Sequence, residues 1–408
     1  MCMAFTEVEW IKKIDMLKIK TSERLEGIGE YYFSQKLREI DELNRLGKQI
    51  INLGIGSPDL PPHPDVIKIL QEESAKPVVH GYQSYKGSSV LREAMSKWYK
   101  DWYHTILEPH TEILPLMGSK EGIMHICMTY LQRGDEVLIP DPGYPTYRSA
   151  VQLAGGIIRE YMLLEENDWF PDLEALEEQG LDGVKIMWVN YPHMPTGAMP
   201  TIAFFEKLVA FGKRNNILIC HDNPYSFILN DYPISLLSIP GAKDVVIELN
   251  SLSKAQNMAG WRVGMLCGAA NRIDEILTFK SNMDSGMFLP VQLAAAKALD
   301  LGKTWYDNLN AIYRERREKV FEIMDLLGAR YDKKQTGLFV WANIPSTYTN
   351  SFSFSDEMLQ NAGVFITPGE IFGNAGKRYI RISLCTPKEK IVESRKRLEK
   401  YLSAKSNG

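Results

Sequence analysis

Four short apolar runs constrain this chain more than any other feature, because each passes directly into a segment of glycine, proline or small polar residues. They are Val137–Pro140, Lys185–Val189, Ile217–Cys220 and Val245–Leu249. Runs of this length, bounded in this way, read as buried strands. Helical stretches lie around them, at 90–103 with Leu91, Met95 and Trp98 along one face, at 119–131 and at 203–215. Strands alternating with helices make an open α/β sheet, whose functional groups gather where strands end.

Lys254 stands at such an end. It lies in Ser251-Leu-Ser253-Lys254-Ala-Gln-Asn257-Met-Ala-Gly260-Trp-Arg262-Val-Gly264, just past the Val245–Leu249 run. An amine kept from bulk water and near another cation loses proton affinity and becomes a nucleophile. Ser251, Ser253 and Arg262 offer hydroxyls and a guanidinium, the partners a phosphate requires. The stretch predicts a lysine able to condense with a carbonyl, beside a phosphate anchor.

Other junctions carry matching chemistry. Gly118-Ser119-Lys120-Glu-Gly122 follows a short strand and opens a helix, whose first-turn N–H groups suit a phosphate. The spacing is not that of a nucleotide P-loop, and Ser119 serves equally as a plain helix cap. Asp222 closes a strand, where an anion can keep a ring nitrogen protonated. Prolines at 142 and 145 flank Tyr144 and aim its ring, which suits stacking on a flat heterocycle. Gly56 ends another short strand and opens the backbone to a ligand. Arg381 interrupts the apolar pattern Tyr379-Ile-Arg381-Ile-Ser383 and needs an anionic partner, internal or bound.

Gly118-Ser-Lys-Glu-Gly122, Asp141-Pro-Gly-Tyr-Pro145, His221-Asp-Asn-Pro-Tyr225, Ser251-Leu-Ser-Lys254 and Arg381-Ile-Ser-Leu384 occur in this order. Together they resemble the motifs of the class I/II aminotransferases of fold type I, which depend on pyridoxal 5'-phosphate, and most of all the LL-diaminopimelate and aspartate aminotransferase group. The resemblance runs from about Arg24 to Leu402. It implies a large domain with a mostly parallel central sheet sandwiched by helices, over 61–302. A small α+β domain is expected from 21–60 and 303–408, with an N-terminal arm over 1–20.

The same resemblance implies roles for residues. Lys254 would bind the cofactor covalently, Asp222 would meet its ring nitrogen, Tyr225 its ring oxygen and Tyr144 its ring face. Gly118, Ser119, Lys120, Ser251, Ser253 and Arg262 would surround its phosphate end, joined by Tyr82 from the other subunit of a homodimer. Gly56 and Arg381 would hold the substrate α-carboxylate. The chain departs from the pattern at His193 and Met194, where relatives carry two asparagines, the second donating to the ring oxygen. A thioether cannot donate. That leaves Tyr225, or His193, to supply the bond. Ala255, Gln256 and the segment Glu370–Phe372 also differ from the diaminopimelate enzymes, so the amino donor stays open.

Composition narrows the alternatives. With 408 residues, 45% hydrophobic and 24% charged, the chain suits two globular domains and not a disordered one. A net charge of -4 without basic clustering disfavours nucleic acid, and no run reaches the length of a membrane span. Cys2, Cys127, Cys220, Cys267 and Cys385 lack any paired spacing, so neither a metal site nor a disulfide framework is expected and a reducing cytoplasm fits. Arg314, Arg316 and Arg317 read as the solvated face of a long helix. A β-eliminating lyase and a non-catalytic cofactor-binding module are the competing readings.

Overall fold

The computed structural model describes residues 19–406. The arm expected over 1–20, with Trp10, Ile14 and Leu17 on one face, lies outside the described residues except for its last two positions. Among the described residues the strands, in chain order, are Ile51–Asn52 (β1), Ile113–Leu116 (β2), Glu136–Asp141 (β3), Ile157–Met162 (β4), Val184–Asn190 (β5), Leu218–Asp222 (β6), Val246–Ser251 (β7), Gly264–Gly268 (β8), Arg330–Tyr331 (β9), Phe339–Asn343 (β10), Val364–Phe365 (β11), Thr367–Pro368 (β12) and Tyr379–Ser383 (β13).

Strands β2 to β8 form one seven-stranded sheet in the order β2-β8-β7-β6-β5-β3-β4. Pairing is parallel from β7 across to β4, whereas β8 runs antiparallel to both β7 and β2. The apolar runs form its centre. Ile186 and Trp188 of β5 enter the core on one face, and Met187 and Val189 enter the core on the other. Burial on both faces is why these strands show no alternation of polar residues.

Helices supply both covering layers. Ser89–Tyr103 buries Leu91, Met95, Trp98 and Tyr99, each stabilising the fold by roughly 2 kcal/mol through removal from water. Ser88 caps this helix by accepting the Leu91 amide at 3.2 Å. Ile202–Asn215 begins where Thr201 accepts the Phe204 amide and stops at Asn216, whose φ is 52°.

The other strands join distant parts of the chain. β12, β13, β10 and β9 form an antiparallel sheet, and β1 lies parallel to β11 with Ile51 opposite Val364. The helix Lys388–Ser406 closes the chain and buries Ile391 and Leu398. The long helix Lys303–Leu326 corrects the reading of its arginines. Arg316 is buried and grips Asp59 through both oxygens at 2.6 and 2.9 Å, while Arg317 donates to the Gln335 carbonyl. Of the three, Arg314 alone is exposed. Cys127, Cys220, Cys267 and Cys385 are buried and free. Among the described residues no helix is long and apolar enough to cross a membrane.

Candidate active site

Asn190, Asp222 and Ser251 end β5, β6 and β7 at the wall of a cavity of about 530 Å³. Sheet register sets Asn190 opposite Asp222, and the Asn190 side-chain amide donates to the Asp222 carbonyl at 2.6 Å. Gly56, Ser119, Lys120, Tyr144, Asp222, Tyr225, Ser251, Ser253, Lys254, Arg262 and Arg381, all expected from sequence, line this one cavity. Gly118 adjoins it through Arg262. Tyr82 does not join them, being 96% exposed on the surface of the protomer.

Lys254 Nζ donates to the Gly56 carbonyl at 2.8 Å and lies 5.8 Å from the centre of the Tyr225 ring. Burial pulls its ammonium below the ordinary lysine range, and the guanidinium groups of Arg381 and Arg262 act in the same sense. The result is an amine biased towards its nucleophilic form.

The helix Ser119–Tyr130 opens from Gly118, which has a φ of 88° and forms the cap without any side-chain hydrogen bond. Ser119 therefore does not cap the helix, and the first-turn amides keep their capacity to bind an anion. A Cβ on Gly118 would collide with the Arg262 guanidinium. Glycine is thus what lets Arg262 lie against the helix start. Ser251 Oγ donates to Ser253 Oγ at 2.9 Å, and Arg262 Nη1 donates to the Ala259 carbonyl at 3.0 Å. Arg262 makes no ion pair among the described residues, so its charge is available to a ligand.

Asp222 is buried, with Oδ2 accepting from the Tyr147 hydroxyl at 2.9 Å and Oδ1 lacking any partner. Burial pushes its carboxyl up to about 6, opposed by the Tyr147 hydrogen bond and by the His221 and Lys254 charges. An open acceptor in such a place costs about 1–3 kcal/mol, a cost that a bound N–H relieves. Sequence reasoning passes over Tyr147, although its position three residues beyond Tyr144 was a usable signal. The two rings meet edge to face at 5.6 Å.

Arg381 sits on β13, opposite Trp341 of β10 and Thr367 of β12. Its Nη2 donates to the Gly54 carbonyl at 2.8 Å, and its Cζ lies 3.9 Å from the centre of the Phe339 ring and 4.6 Å from that of Phe372. No carboxylate pairs with it among the described residues, which removes the internal salt bridge as its explanation. Burial lowers its guanidinium to about 10. The aromatic faces stabilise the charge in part, and an anion bound in the cavity would complete it. Phe339 also packs where a Gly56 side chain would begin, so glycine there admits the close approach of backbone and ring.

Met194 lines the cavity, with Sδ 3.3 Å from Arg381 Nη1. His193 does not reach it. Its Nδ1 meets Thr196 Oγ1 at 2.8 Å, and burial lowers its basicity to about 3. Of the two donors left open by the sequence, Tyr225 lines the cavity and His193 does not. Tyr31, Phe33 and Leu37 add walls that sequence reasoning missed, since nothing local marks them, and Phe372, from the segment that departs from the diaminopimelate enzymes, adds another. Away from the cavity, Glu121, His125 and Asp284 bring ligand-type atoms within 4.8 Å, but the buried Lys280 ammonium already bonds Asp284 and lies 3.7 Å from Glu121. This is an internal ion network.

The open groups fit a phosphorylated heterocyclic aldehyde: an unpartnered acceptor at Asp222, an amine at Lys254, and an uncapped helix start beside Arg262. The family model described as "Aminotransferase class I and II" matches residues 48–398. An LL-diaminopimelate aminotransferase of Dehalococcoides mccartyi (strain CBDB1) is 40% identical over 385 residues, which span 94% of this chain and 99% of that protein. One from Oleidesulfovibrio alaskensis is 41% identical over 386 residues, with the same two coverages. The substrate-bound structure of BacF from Bacillus subtilis matches with a TM-score of 0.90 at 37% identity, over 94% of this chain and 98% of that one. Fold, cavity and relatives converge: the chain belongs to the class I and II aminotransferases, the fold type I transaminases that use pyridoxal 5'-phosphate.

Proposed function

We propose that this transaminase moves the amino group of an L-amino acid of the LL-diaminopimelate or aspartate type to a 2-keto acid. The donor class is supported by the relatives named LL-diaminopimelate aminotransferase at 40–41% identity. One observation carries the site: a lysine amine of lowered basicity shares a cavity with a buried carboxylate that has one open oxygen.

Bound pyridoxal 5'-phosphate supplies an aldehyde for the amino group and a protonated ring that draws electrons from the substrate α-carbon. The residues prepare and use it. Lys254 would hold the cofactor covalently through its aldehyde carbon, and its Nζ, when free, would move the proton between the substrate α-carbon and that carbon as general base and acid. Asp222 Oδ1 would accept the ring N–H, Tyr225 would donate to the ring oxygen, and Tyr144 would cover a ring face. Gly118, Ser119, Lys120, Ser251, Ser253 and Arg262 would hold the phosphate end. Arg381 and Gly56 take the substrate α-carboxylate, the arginine through its two-pronged fork.

The exposed Tyr82 side chain, with Val78, Tyr85 and Phe288 also exposed, supports a homodimer in which Tyr82 completes the partner's phosphate site. The division into 21–60 with 303–408 and 61–302, and a cytoplasmic location, belong to the same reading. No nucleic acid and no membrane enters it.

Lys254→Ala tests the site. Visible absorption from covalently held cofactor should vanish, and turnover should fall by roughly a thousandfold or more. Full activity in that variant would end the reading. A panel of amino donors with 2-oxoglutarate and pyruvate as acceptors then identifies the substrate, and release of ammonia and pyruvate without an acceptor would indicate elimination instead.

A further inference from the structure

His221 immediately precedes Asp222 on β6, and the alternation of strand side chains turns it away from the cavity. It is fully buried, and both of its ring nitrogens face acceptors. Nε2 lies 2.9 Å from the Tyr191 carbonyl, a group that can only accept. Nδ1 lies 2.9 Å from Glu248 Oε2.

Glu248, on β7, is itself ringed by donors. The Leu236 amide reaches Oε2 at 2.9 Å, the Ser235 hydroxyl lies 2.8 Å from the same oxygen, and the Tyr99 hydroxyl lies 2.9 Å from Oε1. This is the environment of an ionised carboxylate, and although burial pushes Glu248 up, the hydrogen bond and charge of His221, with the Ser235 and Tyr99 bonds, bring it below the usual range. A carboxylate on one nitrogen and a carbonyl on the other are both satisfied only by an imidazole that carries two protons. The remaining titratable neighbours add no charge. Cys267, opposite Glu248 on β8, and Tyr103 are held neutral by burial, and the Tyr191 hydroxyl donates to the Trp169 carbonyl.

We propose that His221 is a fixed imidazolium, clamped by Glu248 and the Tyr191 carbonyl, whose charge keeps the adjacent Asp222 carboxylate ionised. It is a positioning residue, and the proposal rests on the reading of Asp222 as the partner of the cofactor's ring nitrogen. The sense of the effect is right, because a positive charge beside Asp222 opposes the burial that otherwise favours its neutral acid.

Neutron diffraction from deuterium-exchanged holoenzyme crystals at neutral pH tests the charge directly. Deuterium on both His221 nitrogens is expected; a bare Nδ1, with the proton on Glu248, overturns the proposal. Two variants test the consequence. His221→Asn and Glu248→Gln should each weaken pyridoxal 5'-phosphate binding on the order of tenfold and shift the pH profile of kcat/KM. If either variant folds with unchanged cofactor affinity and an unchanged profile, the proposal fails. Asp222→Asn, measured alongside, separates the two readings: wild-type affinity and turnover in that variant would remove the role of Asp222 itself, whatever charge His221 carries.

Discussion

The Tyr147 hydroxyl donates to Asp222 Oδ2 at 2.9 Å and leaves Oδ1 with no partner at all. One oxygen fixes the rotation of the carboxyl group, and the other stays without a partner, on a residue that lines the cavity. Tyr147 is in turn stacked on Trp188 at 5.0 Å with the rings 8° from parallel. The carboxylate is therefore aimed by the sheet core, so that a ring nitrogen docking there, as proposed, would require no rearrangement.

This placement carries a stability penalty whose sign follows from burial. Asp222 has its carboxyl pushed from 3.8 up to about 6. A carboxyl raised on folding takes up its proton more readily in the folded chain. It therefore weakens the fold as pH rises from about 4 through about 6, and the loss persists above that window. Asp222→Asn should stabilise the cofactor-free protein above pH 6 by up to roughly 3 kcal/mol and match the wild type near pH 4. Urea unfolding of the two apoproteins at both pH values measures this, and an equal difference at the two would refute it.

Arg381 offers a second test, because its fork has aromatic faces on two sides and no internal carboxylate. Arg381→Lys keeps the charge but loses the paired N–H geometry. KM for the amino donor should rise on the order of a hundredfold, with kcat falling much less. An unchanged KM would move the α-carboxylate elsewhere.

Lys254, Asp222 and Arg381 could be found in the sequence because each is a charged residue set in or just after an apolar strand, where its cost demands a purpose. The central strands were legible for a related reason, since burial on both faces leaves unbroken apolar runs. What could not be read depends on contacts between remote segments. Arg316 looks like a surface residue of a charged helix, and only the tertiary fold brings it to Asp59, 257 positions away. Phe339 and Phe372 look like ordinary core residues until β13 places Arg381 between them. The orientation of His193, turned to Thr196 while Met194 faces the cavity, is set by side-chain packing that no spacing rule encodes.

Gly118 should prove indispensable for cofactor affinity, for a reason that a control can isolate. Gly118 and Gly180 both have positive φ, 88° and 78°, but a Cβ at Gly180 meets nothing within 4 Å whereas one at Gly118 strikes Arg262. Gly180→Ala carries backbone strain of about 1 kcal/mol, and Gly118→Ala up to about 3 kcal/mol, since the Gly118 ψ of 151° takes it outside the left-handed helical region. Gly118→Ala alone should weaken pyridoxal 5'-phosphate binding, by tenfold or more on the order of magnitude expected for a displaced guanidinium–phosphate contact. Equal affinities in absorbance titrations of the two variants would show that Arg262 does not hold the phosphate.

Met194 provides the last test, since its sulfur faces the Arg381 guanidinium from a backbone held by Asn190, whose Oδ1 accepts the Met194 amide at 2.8 Å. The thioether has no proton to offer, which leaves Tyr225 as the donor proposed for the cofactor's ring oxygen. Met194→Asn adds an amide at the same backbone position. A second donor would stabilise the ring oxygen as an anion and weaken its hold on the neighbouring proton, so the midpoint of the pH-dependent absorbance of the bound cofactor should fall by about one unit. Tyr225→Phe should move the same midpoint the opposite way, because it removes the donor that remains. Superimposable titration curves for Met194→Asn and wild type would mean that the ring oxygen is not within reach of position 194, and the reading of Met194 as standing where a second donor would reach that oxygen would have to be abandoned.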